Sequence, residues 1–444
     1  MPKICIIGAG ITGLATAWNL QRHGADCTVL EASSKVGGSI QTIHQDDFLC
    51  ESGPNSIQLN DPSIENFFKS IPELEKEIIE AEPAAKKRFL VRDGRVLPVP
   101  MGPIAALSTP LWSLKAKLRV LKEPFISKAP LDVEESVADF VRRRLGNELY
   151  EYAINPLVGG IYAGNPESLS LKHAFPKLHQ LEQTHSSLIK GGFSKSIKPT
   201  KTKGFKKRII SFKEGLDTLP LKISQALGNK VRTNAPIEAI VQKETGWEIT
   251  CNDKSEYFDQ LIVTIPSHHL KNLPFPNELL KELSPLDAID YPPVSVLNLG
   301  FKKNAIEHPL DGFGVLVPEC EQKSILGVLF PSSFFIARAP KDHALLTVFV
   351  GGERQPHLSS SNLDAVMTTV LPDLESLLGV TQPPVMQRLT HWPKAIPQYK
   401  LGYQKIFDQI NKIERSYKNL HLAGNYRHGI SLTYCLEAAL KAKL

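Results

Sequence analysis

The stretch KICIIGAGITGLATAWNLQRHGADCTVLEA, residues 3–32, decides the fold of this chain. KICIIG, residues 3–8, predicts a buried strand because its central residues are apolar. Residues 12–24 predict a helix that ends at a glycine, and residues 27–32 predict a second strand that closes near an acidic residue. A strand, a glycine turn, a helix and a second strand together predict a βαβ unit.

The same stretch is uncharged from Ile4 to Gln21, so a signal peptide or a membrane-spanning helix has to be weighed against the βαβ unit. Either segment needs a nearly continuous run of large apolar side chains. Glycines stand at Gly8, Gly10 and Gly13, where such a run would need large side chains. The pattern therefore favours the βαβ unit.

Each of the three glycines has a physical role in a dinucleotide-binding turn. The first makes the tight turn, the second lets the backbone approach a pyrophosphate, and the third lets the helix pack on the strand. The free N–H groups at the helix N-terminus favour the phosphates. Glu31 follows Gly13 at the end of the second strand, where a carboxylate can accept ribose hydroxyls. These features together predict dinucleotide binding.

Two further features favour FAD over a nicotinamide dinucleotide. Gly37–Gly38 and the segment around Gly53 add glycine turns that an extended flavin dinucleotide would pass. Residues 420–444 predict a strand, a Gly-Asn turn and a terminal helix that begins near Ser431. A helix N-terminus beside a flavin carbonyl stabilises the reduced anion. The ligand is thus expected to contact both ends of the chain.

Composition predicts a soluble globular protein of two or three structural units. The chain has 444 residues, 42% of them hydrophobic and 22% charged. The 52 basic and 46 acidic residues leave a net charge of +6. The six cysteines are scattered without a CxxC pair, which predicts neither a disulfide scaffold nor a metal site. We find no Ser/His/Asp set and no paired carboxylates, an absence consistent with hydride transfer to a cofactor.

The positive charge is concentrated in two stretches. Residues 186–210 carry eight basic side chains and no acidic one, and residues 111–128 carry five against Glu123 alone. One interpretation is a solvated loop and a solvated helix face; the other is attraction to anionic lipid or to an acidic substrate. Pro103 and Pro110 argue against a spanning helix, although a Leu- and Lys-rich helix could lie at a membrane interface. No module recognisable as nucleic-acid binding accompanies the charge.

The chain resembles the flavin-dependent protoporphyrinogen oxidase family, within the wider amine oxidase and phytoene desaturase group. The resemblance covers nearly the whole chain, and its amino-terminal motif is generic to flavin oxidases. Segments specific to porphyrinogen oxidases are IYAGNP (161–166), LEQTHSS (181–187) and LGVLF…RAP (326–340). Other matching segments are KKRFLVRDGRVLPVP (86–100), HWPKAIPQYKLGY (391–403) and LAGNYRHGISLTYCLEAAL (422–440).

The resemblance implies an α/β molecule in three parts. A discontinuous Rossmann-type FAD-binding domain would comprise residues 1–66, 211–290 and 390–444. A mixed-sheet substrate domain would comprise 67–100 and 291–389. A helical domain, which rests on a membrane in many relatives, would comprise 101–210. By the sequence pattern, residues 101–190 predict helices and residues 291–350 predict short strands bounded by Pro and Gly.

The resemblance also implies the cofactor and its contacts, with Ile237 acting through its backbone and Trp392 lying near the flavin ring. The implied FAD contacts are Gly8, Ala9, Gly10, Ile11, Thr12, Gly13, Glu31, Ala32, Gly38, Ser39, Gly53, Pro54, Asn55, Ser56, Ile237, Trp392, Gly424, Asn425, Ile430, Ser431 and Leu432. Two of them depart from the common pattern. Many relatives have Arg in place of Ser39, and many flavoproteins have Asp in place of Asn425; Asn can still donate to a phosphate.

For the substrate, the resemblance implies that Arg88 pairs with a propionate, which suits the two parallel hydrogen bonds of an Arg–carboxylate pair. Leu316, Leu329 and Phe349 would sandwich pyrrole rings, and the Gly160 carbonyl would point at the macrocycle. The pattern alone favours a core for the three apolar residues and a solvated basic run for Arg88.

The implied activity is the FAD-dependent, six-electron oxidation of protoporphyrinogen IX to protoporphyrin IX in heme biosynthesis. Molecular oxygen is the implied electron acceptor. The enzyme would be cytoplasmic, and its candidate partners are an anionic membrane surface at the inner face of the cell membrane, ferrochelatase and a second copy of the chain. Three alternatives stay open. The substrate could be coproporphyrinogen III, with four carboxylates; it could be an amine or a carotenoid; or the chain could be a binding protein without catalysis, such as a prenyl-protein escort.

Overall fold

A computed structural model describes residues 1–130, 132–193 and 205–442. The predicted basic stretch 186–210 falls partly outside them, since Lys195, Lys198, Lys201 and Lys203 belong to residues 194–204. Among the described residues, no helix combines the length and apolar character needed to cross a bilayer.

The amino-terminal stretch forms the centre of a five-stranded parallel sheet, as predicted. The strand Lys3–Ile7 pairs on one side with Asp26–Leu30 and on the other with Gln260–Val263. The edge strands are Val231–Arg232 beside Asp26–Leu30, and Leu420–Leu422 beside Gln260–Val263. The first and last strands of the chain therefore lie in one sheet, separated by a single strand.

Two helices from opposite ends of the chain pack on this sheet. The first, Ile11–Arg22, begins directly after the glycine turn, and the second is Leu432–Lys441 near the carboxyl terminus. They share one apolar core that contains Leu14, Leu20 and Leu436. The terminal helix predicted from the sequence is thus confirmed, and it lies against the first helix of the chain.

A seven-stranded mixed sheet forms the second layer of strands. In spatial order its strands are Met386–Trp392, Val294–Lys302, His343–Gly351, Ile325–Leu329, Gly314–Leu316, Phe89–Arg92 and Arg95–Pro98. The pairing between Gly314–Leu316 and Phe89–Arg92 is parallel, whereas the other pairings are antiparallel. Alternate residues of one face, such as Val315, Val328 and Val348, form a core with the helix Leu363–Leu378. On the opposite face Leu345 and Thr347 are fully buried, whereas Phe349 is only partly buried and can line a site.

Three smaller sheets complete the strand content of the described residues. An antiparallel sheet joins Ile237–Gln242, Trp247–Cys251 and Lys254–Phe258, and a hairpin pairs Thr42–Gln45 with Phe48–Glu51. A third sheet places Arg208–Phe212 between Ile57–Leu59 and Ile78–Glu80. This last sheet combines strands from all three predicted domains, since Arg208–Phe212 crosses the predicted boundary between residues 210 and 211. The domain boundaries stay predictions.

Residues 101–190 are predominantly helical, as predicted. Their helices are Pro103–Ser108, Leu114–Leu121, Val137–Leu145, Asn147–Leu149, Asn155–Tyr162, Leu171–Ala174, Pro176–His185 and Leu188–Phe193, with a π-helical turn at Tyr150–Ile154. The remaining α-helices of the described residues are Pro62–Lys69, Thr218–Leu227, Asn277–Leu283, Pro331–Phe334, Gln404–Ser416 and Asn425–His428.

A buried ionic network holds these helices together. Arg144 donates to Glu123 and Glu182 at 2.7 and 2.6 Å, and all three side chains are fully buried. Ser187 and the amide of Leu188 also donate to Glu123. Removing one partner from such a network leaves a buried charge uncompensated, so the network is expected to fix the helix arrangement. Glu123, the one acidic residue of the basic stretch 111–128, is therefore buried rather than solvated.

Candidate functional site

The amino-terminal glycines form an open cradle at the start of the first helix. Gly8 has φ +103°, a conformation that favours glycine, and a Cβ on Gly13 would lie 2.0 Å from the Gly8 carbonyl oxygen. A Cβ on Gly10, in contrast, would meet no protein atom within 4 Å. Gly10 is also the N-cap of the helix and provides no side chain to the free amides of Ile11 and Thr12. The cradle therefore presents backbone donors to an anion.

Glu31 lies at the end of the second strand, as predicted, and is joined to the cradle. Its Oε2 accepts a hydrogen bond from the Ala9 amide at 2.8 Å, and its Oε1 accepts from the Ser33 amide and hydroxyl. Ala32 lies between them and is exposed. A carboxylate held in this way keeps acceptor capacity for ribose hydroxyls.

The second and third glycine turns stack on the first. Gly10 and Gly37 form a parallel bridge, and a Cβ on Gly38 would be in ordinary van der Waals contact with the Cα of Gly10. A Cβ on Gly53 would lie 2.2 Å from the Ser39 carbonyl oxygen, so a side chain at Gly53 would separate the two turns. The fold thus brings together the glycines that the sequence analysis assigned to one extended ligand.

Two orphaned polar atoms lie in the third turn. The Ser52 hydroxyl and the Asn55 Oδ1 are buried without a hydrogen-bond partner among the described residues. Asn55 uses its amide group to cap the Gly53 carbonyl, and Pro54 and Ser56 flank it. Buried polar atoms normally have partners. An extended polar ligand along this turn would supply them, and together with the open cradle at Gly10 these atoms fit a flavin dinucleotide.

The carboxyl-terminal turn lies at the same end of the five-stranded sheet as the amino-terminal one, with the strand Gln260–Val263 between the strands that lead into them. Gly424, with φ +142°, and Asn425 follow the strand Leu420–Leu422, and the Ser431 hydroxyl caps the last helix through the Tyr434 amide. Thr433 donates to the Gln58 carbonyl at 2.7 Å, which joins this helix to the segment after Ser56. The predicted ligand groups at Ile430 and Leu432 therefore share a region with the third glycine turn.

Trp392 and Ile237 lie near predicted cofactor contacts and belong to other sheets. Trp392 ends an edge strand of the mixed sheet, and its indole N–H donates to the Ser52 carbonyl at 2.6 Å. Ile237 begins a strand just after Ala235, whose amide donates to the Glu31 carbonyl at 2.9 Å. Both residues are thus anchored next to predicted cofactor contacts that are distant in the sequence.

Leu316, Leu329 and Phe349 lie on one face of the mixed sheet, opposite the core. Leu316 pairs with Gly327, which in turn pairs with Phe349, and Leu329 follows two residues after Gly327. Partners across strands and residues two apart share a face. All three side chains are only partly buried, in contrast to the fully packed opposite face.

Gly160 lies above this face on the helix Asn155–Tyr162. A Cβ on Gly160 would lie 2.4 Å from the Leu316 Cδ2. The helix stops at Ala163, whose φ of +49° is left-handed and whose amide donates to the Gly159 carbonyl. Because the last four carbonyls of a helix lack intrahelical donors, the Gly160 carbonyl is available to a ligand.

Arg88 lies at the edge of the same face. It immediately precedes the strand Phe89–Arg92, two residues before Leu90, which pairs with Leu316. Its guanidinium lies 5.2 Å from the centre of the Phe313 ring and makes no ion pair with the described carboxylates. Lys87 is instead bound to Asp311 at 2.6 Å. Arg88 therefore has no ion-pair partner among the described residues, and its guanidinium lies against the Phe313 ring.

Several residues behind the site are not among those predicted from the sequence. Glu51 is almost fully buried, and this burial raises the pKa of its carboxyl to about 7 against hydrogen bonds from the Leu216 amide and Thr42. Asn298 donates to the Glu51 carbonyl and accepts from Thr347. Only the neighbouring glycine turn drew attention to Glu51, and no sequence signal marks Asn298 or Thr347, which lie in regular strands.

Comparison with known proteins gives one consistent result. The model of the flavin-containing amine oxidoreductases matches residues 11–442. Protoporphyrinogen oxidase 2 of Arabidopsis thaliana is 32% identical, over 99% of this chain and 92% of the relative. Coproporphyrinogen III oxidase of Staphylococcus aureus is 28% identical, over 98% of this chain and 96% of the relative.

Among solved structures, a candidate protoporphyrinogen oxidase from Exiguobacterium sp. 255-15 superimposes with a TM-score of 0.82 at 25% identity, covering 99% of this chain and 97% of the other. The chain belongs to the flavin-containing amine oxidoreductases and, within them, to the protoporphyrinogen oxidase family. It is a flavin oxidoreductase with an α/β fold, and FAD is its cofactor.

Proposed function

We propose that the enzyme oxidises protoporphyrinogen IX to protoporphyrin IX with molecular oxygen as the final acceptor. The observation that carries the proposal is the apolar face formed by Leu316, Leu329 and Phe349, with Gly160 above it and the unpaired Arg88 at its edge. An apolar face with a cation at one side suits a macrocycle with carboxylates on one side. The 32% identity to a plant protoporphyrinogen oxidase supports the same substrate.

The chain's own residues have a positioning task in this reaction. Bound FAD supplies two-electron oxidation, and removal of six hydrogens from a porphyrinogen requires three rounds. Arg88 would hold a propionate, and the apolar face would hold the pyrrole rings against slippage. The free Gly160 carbonyl would accept a hydrogen bond from the macrocycle. Since orientation alone can supply much of the rate enhancement, no acid or base residue is assigned.

Coproporphyrinogen III is the second candidate substrate, since a relative of this name is 28% identical. Its four carboxylates would call for more free cations around the apolar face. The basic run at residues 86–88 supplies fewer free cations than its sequence indicates, because Lys87 forms an ion pair with Asp311. This pairing favours the substrate with two carboxylates.

We further propose that residues 101–128 attach the enzyme peripherally to a membrane at its cytoplasmic face. Large apolar side chains in this segment are strongly exposed, namely Met101, Ile104, Leu107, Leu114, Leu118, Leu121 and Phe125. Exposed apolar patches of this kind mark interaction surfaces. Lys117 and Arg119 bind backbone carbonyls of the protein, so Lys115 and Lys122 are the cations of this helix that face solvent. Ferrochelatase and a second copy of the chain stay predicted partners.

Oxidation of the two porphyrinogens by the purified protein tests the main proposal. Anaerobically prepared protoporphyrinogen IX and coproporphyrinogen III are mixed separately with the enzyme in air, and porphyrin fluorescence and hydrogen peroxide are followed. We expect the larger kcat/KM for protoporphyrinogen IX, with one peroxide per two electrons. A larger kcat/KM for coproporphyrinogen III would overturn the substrate, and porphyrin formed without peroxide would overturn oxygen as direct acceptor.

A further inference from the structure

Two adjacent residues, Gln398 and Tyr399, contact the two halves of the proposed site. Gln398 is 1% exposed, and its side-chain amide donates to the Tyr162 carbonyl at 2.8 Å and to the Ile396 carbonyl at 3.0 Å. Tyr162 is the last residue of the helix that carries Gly160. The helix end therefore depends on Gln398 for one of its free carbonyls.

Tyr399 contacts the carboxyl-terminal turn. Its hydroxyl donates to the Asn425 carbonyl and accepts the Gly429 amide hydrogen at 2.9 Å. These two groups lie at opposite ends of the short helix Asn425–His428, directly before the Ser431 cap of the last helix. One buried hydroxyl thus fixes the path of the chain from Gly424 to the last helix.

The backbone between these contacts is itself held on several sides. The backbone N–H of Gln398 donates to the Asp290 carbonyl at 2.9 Å, and the backbone carbonyl of Tyr399 accepts from the Ser170 N–H at 2.8 Å. The next residue, Lys400, binds Asp290 at 2.7 Å and Glu353 at 2.9 Å. The two side chains therefore project from a rigid strip of backbone rather than from a mobile loop.

Packing leaves each side chain little freedom. A Cβ on Gly164 would lie 1.9 Å from the Gln398 Oε1, so the amide fits against bare backbone. The Tyr399 ring lies 4.5 Å from the Tyr403 ring and 6.5 Å from the Tyr162 ring, centre to centre. Close packing of this kind transmits small displacements between the groups it joins.

We propose that Gln398 and Tyr399 form a clasp that sets the spacing between the Gly160 helix end and the turn before the last helix. The clasp would position the substrate side of the site relative to the flavin side, and neither residue would touch the reacting atoms. This inference rests on the proposed function, since it takes Gly160 to face the porphyrinogen and Ile430–Leu432 to face FAD.

Tyr399→Phe tests the flavin half of the clasp without any substrate. The variant keeps the ring and leaves the Asn425 carbonyl and Gly429 amide unpaired, so the last helix should lose its fixed position. We expect reduced FAD to lose about tenfold in affinity relative to oxidised FAD, which lowers the two-electron midpoint potential by about 30 mV. Tyr150→Phe is the matched control for the flavin half, because it removes a buried hydroxyl that donates to Glu167, away from the turn before the last helix.

Gln398→Met tests the substrate half. Methionine has a similar length but cannot donate to the Tyr162 carbonyl. We expect FAD affinity and midpoint potential as in the wild type, with the porphyrinogen KM raised several-fold and kcat lowered. If Tyr399→Phe fails to fold, the comparison of FAD properties with KM in Gln398→Met still tests the substrate half. Tyr399→His, which retains a polar ring, then replaces Tyr399→Phe as the test of the flavin half.

The outcomes separate the clasp from the proposed function. Wild-type protein that binds FAD but oxidises neither porphyrinogen would overturn the proposed function. An active wild type whose midpoint potential is unchanged in the Tyr399 variants would overturn the flavin half of the clasp, and an unchanged KM in Gln398→Met would overturn the substrate half.

Discussion

Gly160 and Leu316 are in such close contact that a methyl group on Gly160 would lie 2.4 Å from the Leu316 Cδ2. The helix Asn155–Tyr162, which follows the π-helical turn, therefore lies directly on the partly buried face of the mixed sheet. At Gly160 there is no room for a side chain between the helix and the sheet. Since Leu316 is the flexible partner, a methyl group would displace its side chain rather than the backbone. The position of the Leu316 side chain, and with it the shape of the proposed substrate face, therefore depends on this glycine.

Gly160→Ala should raise the porphyrinogen KM and lower kcat/KM roughly tenfold, a loss of about 1.4 kcal/mol in transition-state binding. FAD content should stay as in the wild type, because the displaced side chain belongs to the proposed substrate face. Steady-state porphyrin fluorescence measures the change. The double variant Gly160→Ala/Leu316→Ala restores the room and should recover part of the loss; a double variant no better than the single one would argue against a steric cause.

Arg88→Ala should weaken porphyrinogen binding without affecting the fold. The Arg88 side chain is exposed and forms no ion pair with the described carboxylates, so thermal stability should change little. A charge-assisted hydrogen bond contributes about 1.5–3 kcal/mol, which predicts a KM increase of roughly ten- to a hundredfold. Lys86→Ala removes the same charge two residues away and is the control. Equal KM values for the two variants would show that only the general charge matters.

Gly10 and Gly13 should respond differently to alanine, although they belong to one motif. At Gly13 the methyl group would lie 2.0 Å from a backbone oxygen and 2.6 Å from the Thr264 hydroxyl, so the FAD-free protein itself should be destabilised. At Gly10 the methyl group meets no protein atom, and the backbone is extended, with φ −70°. Gly10→Ala should keep the melting temperature of the FAD-free protein and weaken FAD binding, measured by flavin fluorescence. Similar melting temperatures for the two FAD-free variants would contradict this distinction.

The contrast between these glycines and the clasp shows what could be predicted from sequence. The strand, turn and helix around Gly10 follow from residues adjacent in the chain, and the predicted elements agree with the structure to within one or two residues. The contacts of Trp392 with Ser52 and of Gln398 with Tyr162 join segments hundreds of residues apart, which no local pattern specifies.

The burial of charged side chains is a second feature that could not be predicted from the sequence. Glu123 and Arg144 have the composition of a solvated surface, but the structure pairs them in a fully buried network. Burial of a charge depends on whether a partner arrives from elsewhere in the fold, and this cannot be inferred from either residue alone. Residue roles at the site, such as that of Arg88, came from the family resemblance and stay predictions.

Membrane attachment should depend on the exposed apolar side chains of residues 101–128. Leu118 and Phe125 are 52% and 88% exposed, so replacing both by Glu should leave the fold intact. We expect the double variant to lose co-sedimentation with vesicles containing phosphatidylglycerol, because burial of apolar surface drives interfacial binding. Leu221→Glu, at a 44% exposed site on another helix, is the control. Wild-type protein that stays in the supernatant would contradict attachment altogether.

Glu51 should make the stability of the enzyme depend on pH between about 4.5 and 7. Burial raises the pKa of its carboxyl from 4.5 to about 7, so the folded protein binds a proton that the unfolded chain releases in this range. The contribution of Glu51 to the free energy of unfolding then falls as pH rises from about 4.5 to about 7 and levels off above it. The shift corresponds to a loss on the order of 3 kcal/mol.

Glu51→Gln keeps an oxygen acceptor for the Leu216 amide and cannot ionise, so it removes this contribution. In urea unfolding with saturating FAD, we expect the variant to match the wild type near pH 5 and to be the more stable protein at pH 8. Asp217, whose own pKa is raised chiefly by burial, lies nearby and leaves a residual slope of the same sign. Glu244→Gln changes an exposed carboxyl and should reproduce the wild-type slope. If Glu51→Gln is no more stable than the wild type at pH 8, the carboxyl is already ionised at lower pH and the packing around the third glycine turn must admit water.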